Sequence, residues 1–293
     1  MLPTTETLPD GGPLDRLSPL DAAALALDGQ VRAAQAVKAA LPQIVAGSEV
    51  MARGIAGGGA LHYAAAGSSG LMALADCCEL SGTFGIAPQR VRIHMAGGVP
   101  VDGHMPGDTE DDAGAAERIC EGVSATDVFI VLSASGTTPY ALAVARAARA
   151  RGAAVIGIAN NPGTPLLALG DPAICLETPP EVIAGSTRLG AGTAQKIALN
   201  LMSSLMGVRL GHVHEGRMVN LIADNTKLEG RAARIVAAIA EVPEADARDA
   251  LTRAQGGVKP AILIAAGASP EKAAALLDAH DGHLGPCLHD LKT

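Results

Sequence analysis

Tryptophan is absent from this 293-residue chain, which has only two Tyr and two Phe. Any core must therefore be packed with Ala, Gly, Leu and Val. Positive charge is also scarce: 22 Lys and Arg stand against 30 Asp and Glu, a formal net charge of −8. This argues against nucleic acid or an acidic membrane as default partners. It leaves an anionic small substrate open, because local donors decide that. The five cysteines are an odd set without a CxxC pair. Neither a disulfide framework nor a zinc site is expected, and reduced thiols fit a cytosolic protein. No apolar run is long enough to cross a bilayer. The opening MLPTTETLPDGG lacks a basic n-region and an apolar h-region, so no secretory signal is expected. The lack of GxxxxGK[ST] argues against a nucleotide-hydrolysing P-loop, and the lack of GxGxxG argues against a dinucleotide fold.

The length suits one large α/β domain with additions, or two small domains, and is enough to bury a substantial core. Residues 1–19 are rich in Pro, Gly and Asp and read as an extended arm. From Pro19 to about Ala56 apolar residues recur every three or four positions, which predicts two helices before Gly57-Gly58-Gly59. The central block alternates strand and helix. Strands are expected at Leu61–Ala66, Val91–Met95, Asp127–Ser133, Ala154–Ala159 and Ala173–Leu176. Such alternation implies right-handed crossovers and a parallel sheet with helices on both faces. After Lys227 the texture changes to Ala, Glu and Arg helices. The expected division is 1–56 (arm and helices), 57–229 (α/β domain) and 230–293 (a small all-helical domain).

Two Ser/Gly turns, Gly67-Ser68-Ser69-Gly70 and Ser133-Ala134-Ser135-Gly136-Thr137-Thr138-Pro139, each follow a strand and precede a helix. Ligands in parallel sheets bind at the carboxyl ends of strands. Free N–H groups and the helix dipole there favour an anion, and the hydroxyls add donors. The same turns also fit ordinary N-caps; two in one sheet favour a phosphorylated or anionic ligand. Glu79, the only carboxylate between Cys77 and Arg90, and Glu110 are candidate acid and base. Alone, their spacing also fits a helix-end carboxylate and one charge of a solvated run with Asp108, Asp111 and Asp112. Gly185-Ser186-Thr187-Arg188 opens a further helical pattern. The eight His show no metal-ligand spacing, so a structural or surface role is expected.

Together these segments resemble the N-acetylmuramic acid 6-phosphate etherases of the sugar isomerase (SIS) superfamily. The resemblance runs nearly end to end. It rests on Leu14–Ser18, Gly67–Gly70 with Glu79 and Thr83–Gly85, Ala96–Gly98, Gly107–Asp111 and Ala134–Tyr140. Asn161–Gly163, Glu181–Arg188, Ala191–Lys196 and Asn225–Leu228 complete it. It implies a cytoplasmic homodimer of SIS domains with a ubiquitin-associated-like helical C-terminal domain. It implies a lyase that removes D-lactate from a phosphorylated amino sugar without metal or other cofactor, by elimination and then hydration. By position it gives the catalytic roles to Glu79 and Glu110, with Glu110 the base. The hydroxyl turns and the resemblance together give substrate contacts to Gly67, Ser68, Ser69, Ser135, Gly136, Thr137, Thr138, Ser186, Thr187 and Arg188.

Three departures stand out. The family's usual Arg, Arg and Lys are replaced by Leu71, Thr137 and Gly190, and a hydroxyl does not replace a bidentate Arg. Leu80-Ser81-Gly82 also stands where the family usually has Cys-Pro-Pro. An etherase with altered anion recognition is one expectation. A protein that senses or isomerises a different sugar phosphate or sugar acid is the alternative.

Overall fold

The computed structural model describes residues 3–9 and 12–292. Met1, Leu2, Asp10, Gly11 and Thr293 lie outside it, so the expected arm is described only in part. That part holds two 3-10 turns, Thr4–Glu6 and Leu14–Arg16, where an extended run was expected. The chain divides into two compact units. One takes residues up to Cys77 together with Gln89–Ser203. The other takes Cys78–Pro88 and the chain from Ser204 onward.

The first unit is built on a five-stranded sheet of β1 (Leu61–Ala65), β2 (Val91–Met95), β3 (Val128–Ser133), β4 (Ala154–Ala159) and β5 (Ala173–Cys175). The order is β2-β1-β3-β4-β5, and every pair is parallel. Its helices are α1 (Pro19–Ala36), α2 (Leu41–Ala56), α3 (Gly67–Phe84), α4 (Ala115–Ile119), α5 (Pro139–Ala150), α6 (Pro165–Leu169) and α7 (Gly190–Arg209). The last turns of α3 and α7 belong to the second unit. Central strands buried on both faces read as continuous apolar runs, and β1 and β3 are buried throughout. Alternate residues divide between the two faces. Ala64, Phe129, Val131 and Val155 pack with Tyr140, Val144 and Ala148 of α5 and Leu166 of α6. On the opposite face Tyr63 donates to Asp76 of α3 at 2.8 Å. Asn200 and Ser203 of α7 donate to the other oxygen of Asp76 at 2.7 and 2.9 Å. This buried, fully satisfied network ties two helices to the sheet.

The order 2-1-3 makes β1 and β3 neighbours whose following helices leave toward opposite faces. A crevice opens at the carboxyl ends of such a strand pair.

The second unit contains a short hairpin, β6 (Val213–His214) with β7 (Arg217–Met218), and five helices. These are α8 (Thr226–Ala240), α9 (Glu244–Arg253), α10 (Val258–Ala265), α11 (Pro270–Ala279) and α12 (Leu284–Lys292). Val236, Ile262, Leu263, Leu284 and Cys287 share their core. His214 lies in the hairpin, whereas His212 precedes it and sits 3.5 Å from Asn220.

Candidate functional site

The first Ser/Gly segment is not a separate turn. α3 starts at Gly67, directly after β1, so Ser68 and Ser69 form its first turn. N–H groups of a first helical turn have no partner within the helix. Gly67 makes the sharp entry with φ +54°, a left-handed value that favours glycine. It also leaves room for a carboxylate: Glu110 Oε1 lies 2.6 Å from where a Cβ on residue 67 would stand. Glu110 is carried by a 3-10 turn, Asp108–Asp111, in the long connection after β2. The Thr109 hydroxyl donates to the Pro106 carbonyl at 3.2 Å and helps to shape that connection. The dipole of α3 favours a negative charge at this end.

The second segment follows β3 and precedes Pro139 at the start of α5. Ser133 Oγ lies 2.8 Å from Thr138 Oγ1 and accepts the Gly136 N–H at 3.0 Å. Gly136 has φ +71° and lies against Thr164, so a side chain there would collide. The Thr137 hydroxyl donates to Ser135 Oγ at 3.0 Å. This turn is a chain of hydroxyls held mostly by one another.

The third segment behaves differently from the expected helix start. α7 begins at Gly190, and residues 182–189 form turns before it. Glu181 is buried and accepts the Gly190 and Ala191 N–H groups, both at 2.9 Å. The N-terminus of α7 is thus occupied by the protein's own carboxylate. Burial pushes the Glu181 pKa up, against the pull of those two hydrogen bonds.

These segments meet in a cavity of about 280 Å³ at the carboxyl ends of β1 and β3. Its walls include Ser68, Ser69, Glu110, Ser135, Thr138 and Thr187, all predicted, together with Glu6, Ser133 and Gly185. No Lys or Arg is among its lining residues. Gly67 and Gly136, also predicted, are not among its lining residues. Thr137 and Arg188 are exposed, Ser186 is half-buried, and none of the three is in the lining. Glu79 is exposed on the part of α3 that belongs to the second unit. Three larger cavities, of about 560, 580 and 320 Å³, lie at the amino ends of β3 and β4, along β2, and between α8 and α9 of the second unit. None of them combines strand carboxyl ends with the hydroxyl turns. Among the described residues no group of His, Cys, Asp and Glu is placed to hold a metal.

Residues 28–160 match the SIS domain family. The chain is 43% identical to the N-acetylmuramic acid 6-phosphate etherase of Deinococcus radiodurans over 283 residues, covering 96% of this chain and 93% of that protein. It is 38% identical to the protein of the same name from Streptomyces avermitilis, covering 97% and 93%. Among solved structures, a Bacteroides fragilis protein named as a phosphosugar isomerase involved in capsule formation superposes with a TM-score of 0.50 at 18% identity. The match covers 68% of this chain and 95% of the other, a likeness of fold alone.

Proposed function

The chain belongs to the N-acetylmuramic acid 6-phosphate etherase family, and on that premise we propose that it cleaves the lactyl ether of N-acetylmuramic acid 6-phosphate. The products are N-acetylglucosamine 6-phosphate and D-lactate. The observation that carries this reading is the carboxylate of Glu110 against the first residue of α3, inside a pocket walled by hydroxyls. The first turn of α3 with Ser68 and Ser69, and the hydroxyls of Ser135 and Thr138, take the phosphate. In the ring-opened sugar the aldehyde acidifies the C2 proton. Glu110 removes that proton, the electron pair forms the C2–C3 double bond, and the C3–O bond breaks. Glu79 protonates the departing lactate oxygen, a role that rests on the resemblance of the segment around it to the family's motif. Water then adds at C3 and a proton returns to C2. Arg188, Ser186 and Thr187 belong to the substrate-binding set by the resemblance of their segment, and Thr137, which departs from the family, by its place in the second hydroxyl turn.

The protein works in the cytoplasm, a reading supported by five cysteines that form no disulfide. It works as a homodimer, supported by an apolar stripe on the outer face of α1.

The test is D-lactate release from N-acetylmuramic acid 6-phosphate by the wild type, Glu110→Ala and Glu79→Ala, beside C2 proton exchange in deuterium oxide. The wild type should do both. Glu110→Ala should lose both by more than about 100-fold, the scale of general base catalysis. Glu79→Ala should keep exchange and lose release. A wild type that binds the sugar phosphate but neither releases lactate nor exchanges the proton overturns the etherase reading.

A further inference from the structure

The pocket holds a second carboxylate that no motif announces. Glu6 lies in its wall, and Glu6 Oε2 stands 3.1 Å from the Cβ position of Gly185. The segment carrying it is firmly tied. Thr5 has no exposed surface. The Thr4 N–H donates to Asn161 Oδ1 at 2.8 Å, and the Gly185 N–H donates to the Thr5 carbonyl at 2.8 Å. Asn161 Nδ2 donates to the Thr5 hydroxyl at 3.3 Å and to the Ala134 carbonyl at 2.9 Å. Asn161 therefore clamps the arm to the second Ser/Gly turn, and Gly185 clamps it to the loop carrying Thr187. Three separate pieces of pocket wall share these two anchors.

The Glu6 carboxylate has no hydrogen-bond or ion-pair partner among the described residues. A carboxylate placed at a phosphate would repel it. Glu6 must therefore serve a part of the ligand other than the phosphate that Ser68, Ser69, Ser135 and Thr138 hold in the reading above. A carboxylate accepts only, so its complement is an O–H or N–H.

We infer that Glu6 is a substrate-contacting, specificity-determining residue that accepts a hydrogen bond from a hydroxyl of the sugar chain. This rests on the sugar-phosphate reading given above. The arm thus completes the pocket with an acceptor, and the hydroxyl turns supply the donors. Sugar phosphates are held at both ends, whereas inorganic phosphate engages only one.

The test compares wild type, Glu6→Ala and Glu6→Gln in the full chain by titration calorimetry. The ligands are N-acetylglucosamine 6-phosphate and inorganic phosphate. Loss of a charge-assisted hydrogen bond predicts about tenfold or more weaker sugar-phosphate binding by Glu6→Ala. Inorganic phosphate binding should not change. Glu6→Gln, which retains an acceptor oxygen, should recover part of the loss. In turnover, KM for the sugar phosphate should rise by a similar factor, with C2 proton exchange at saturation nearly preserved. Equal sugar-phosphate affinity in all three proteins overturns the inference. So does a parallel loss for both ligands, which means that the arm is only structural. A wild type that binds neither ligand fails the sugar-phosphate reading first.

Discussion

His62 lies wholly inside β1, stacked on Phe129 with ring centroids 4.3 Å apart, and its Nδ1 is 3.1 Å from His94 Nε2. Its other nitrogen, Nε2, has no hydrogen bond and stands 4.0 Å from Asp127 Oδ2. Burial, and then the neighbouring His94, push His62 down from 6.5 to about 4. Burial and then Arg92 push His94 down to about 4 as well. Both imidazoles are therefore neutral in the folded protein at pH 6, where the unfolded chain binds protons. With the folded values below the unfolded ones, the stabilisation is complete above about pH 6.5. It is lost as pH falls toward 4, in an amount on the order of several kcal/mol for the pair. Urea denaturation at pH 7.5, 6 and 5 should show this fall. His62→Phe, which keeps a ring on Phe129 and removes one titration, should flatten it. An unchanged slope in the variant would assign the acid sensitivity elsewhere. The sequence already suggested a structural role for these histidines. Their pairing was out of its reach, because it depends on β1 and β2 being neighbours in register, with His62 opposite Arg92 and Ala64 opposite His94.

Among the elements, the strand-turn-helix units were legible because their signals are local. A buried apolar strand, Gly and Ser, then helical spacing mark both pocket turns, and Pro139 stands at the first position of its helix. The start of α3 was not, since the Ser/Gly segment that reads as a turn is helix from Gly67 onward, a conformation that glycine alone enters easily at φ +54°. The start of α7 was displaced for a different reason. Gly185-Ser186-Thr187 has N-cap chemistry, but the cap comes from Glu181, nine residues before Gly190. Glu110 was legible only through resemblance, because an acidic run looks solvated until the connection after β2 folds back on Gly67. Glu6 was missed because its anchor, Asn161, is 157 residues from Thr4. The Glu181 cap carries its own prediction. Glu181→Ala leaves two buried N–H groups without acceptors and should cost ~2 kcal/mol or more. Glu181→Gln, with one acceptor oxygen, should cost less. Chemical denaturation of both variants checks this, and equal stability of wild type and Glu181→Ala would remove the cap from the folding account.

At the scale of the whole molecule, the proposed homodimer makes the apolar outer face of α1 the surface that joins two copies. Gly29 and Ala33 are buried on its inner side, whereas Leu20, Leu27 and Val31 are 80%, 63% and 47% exposed. Spacings of seven and four residues put these three on one helical face, and Ala24 lies between them. Leu41 and Val45 of α2 are exposed as well. Each such side chain gains about 1.5–3 kcal/mol when fully buried. A two-fold axis would use the same stripe from both copies, so each contact counts twice. Placing Glu at Leu20 and Leu27 together should convert the gain into a desolvation cost without disturbing the inner face of the helix. Analytical ultracentrifugation should give twice the chain's mass for the wild type at micromolar concentration, and one chain's mass for the double variant. The wild type's thermal midpoint should also rise with protein concentration, as coupled folding and association require, and the variant's should not. A wild type that sediments as a single chain, or a double variant that remains a dimer, would mean that α1 is not the surface joining two copies.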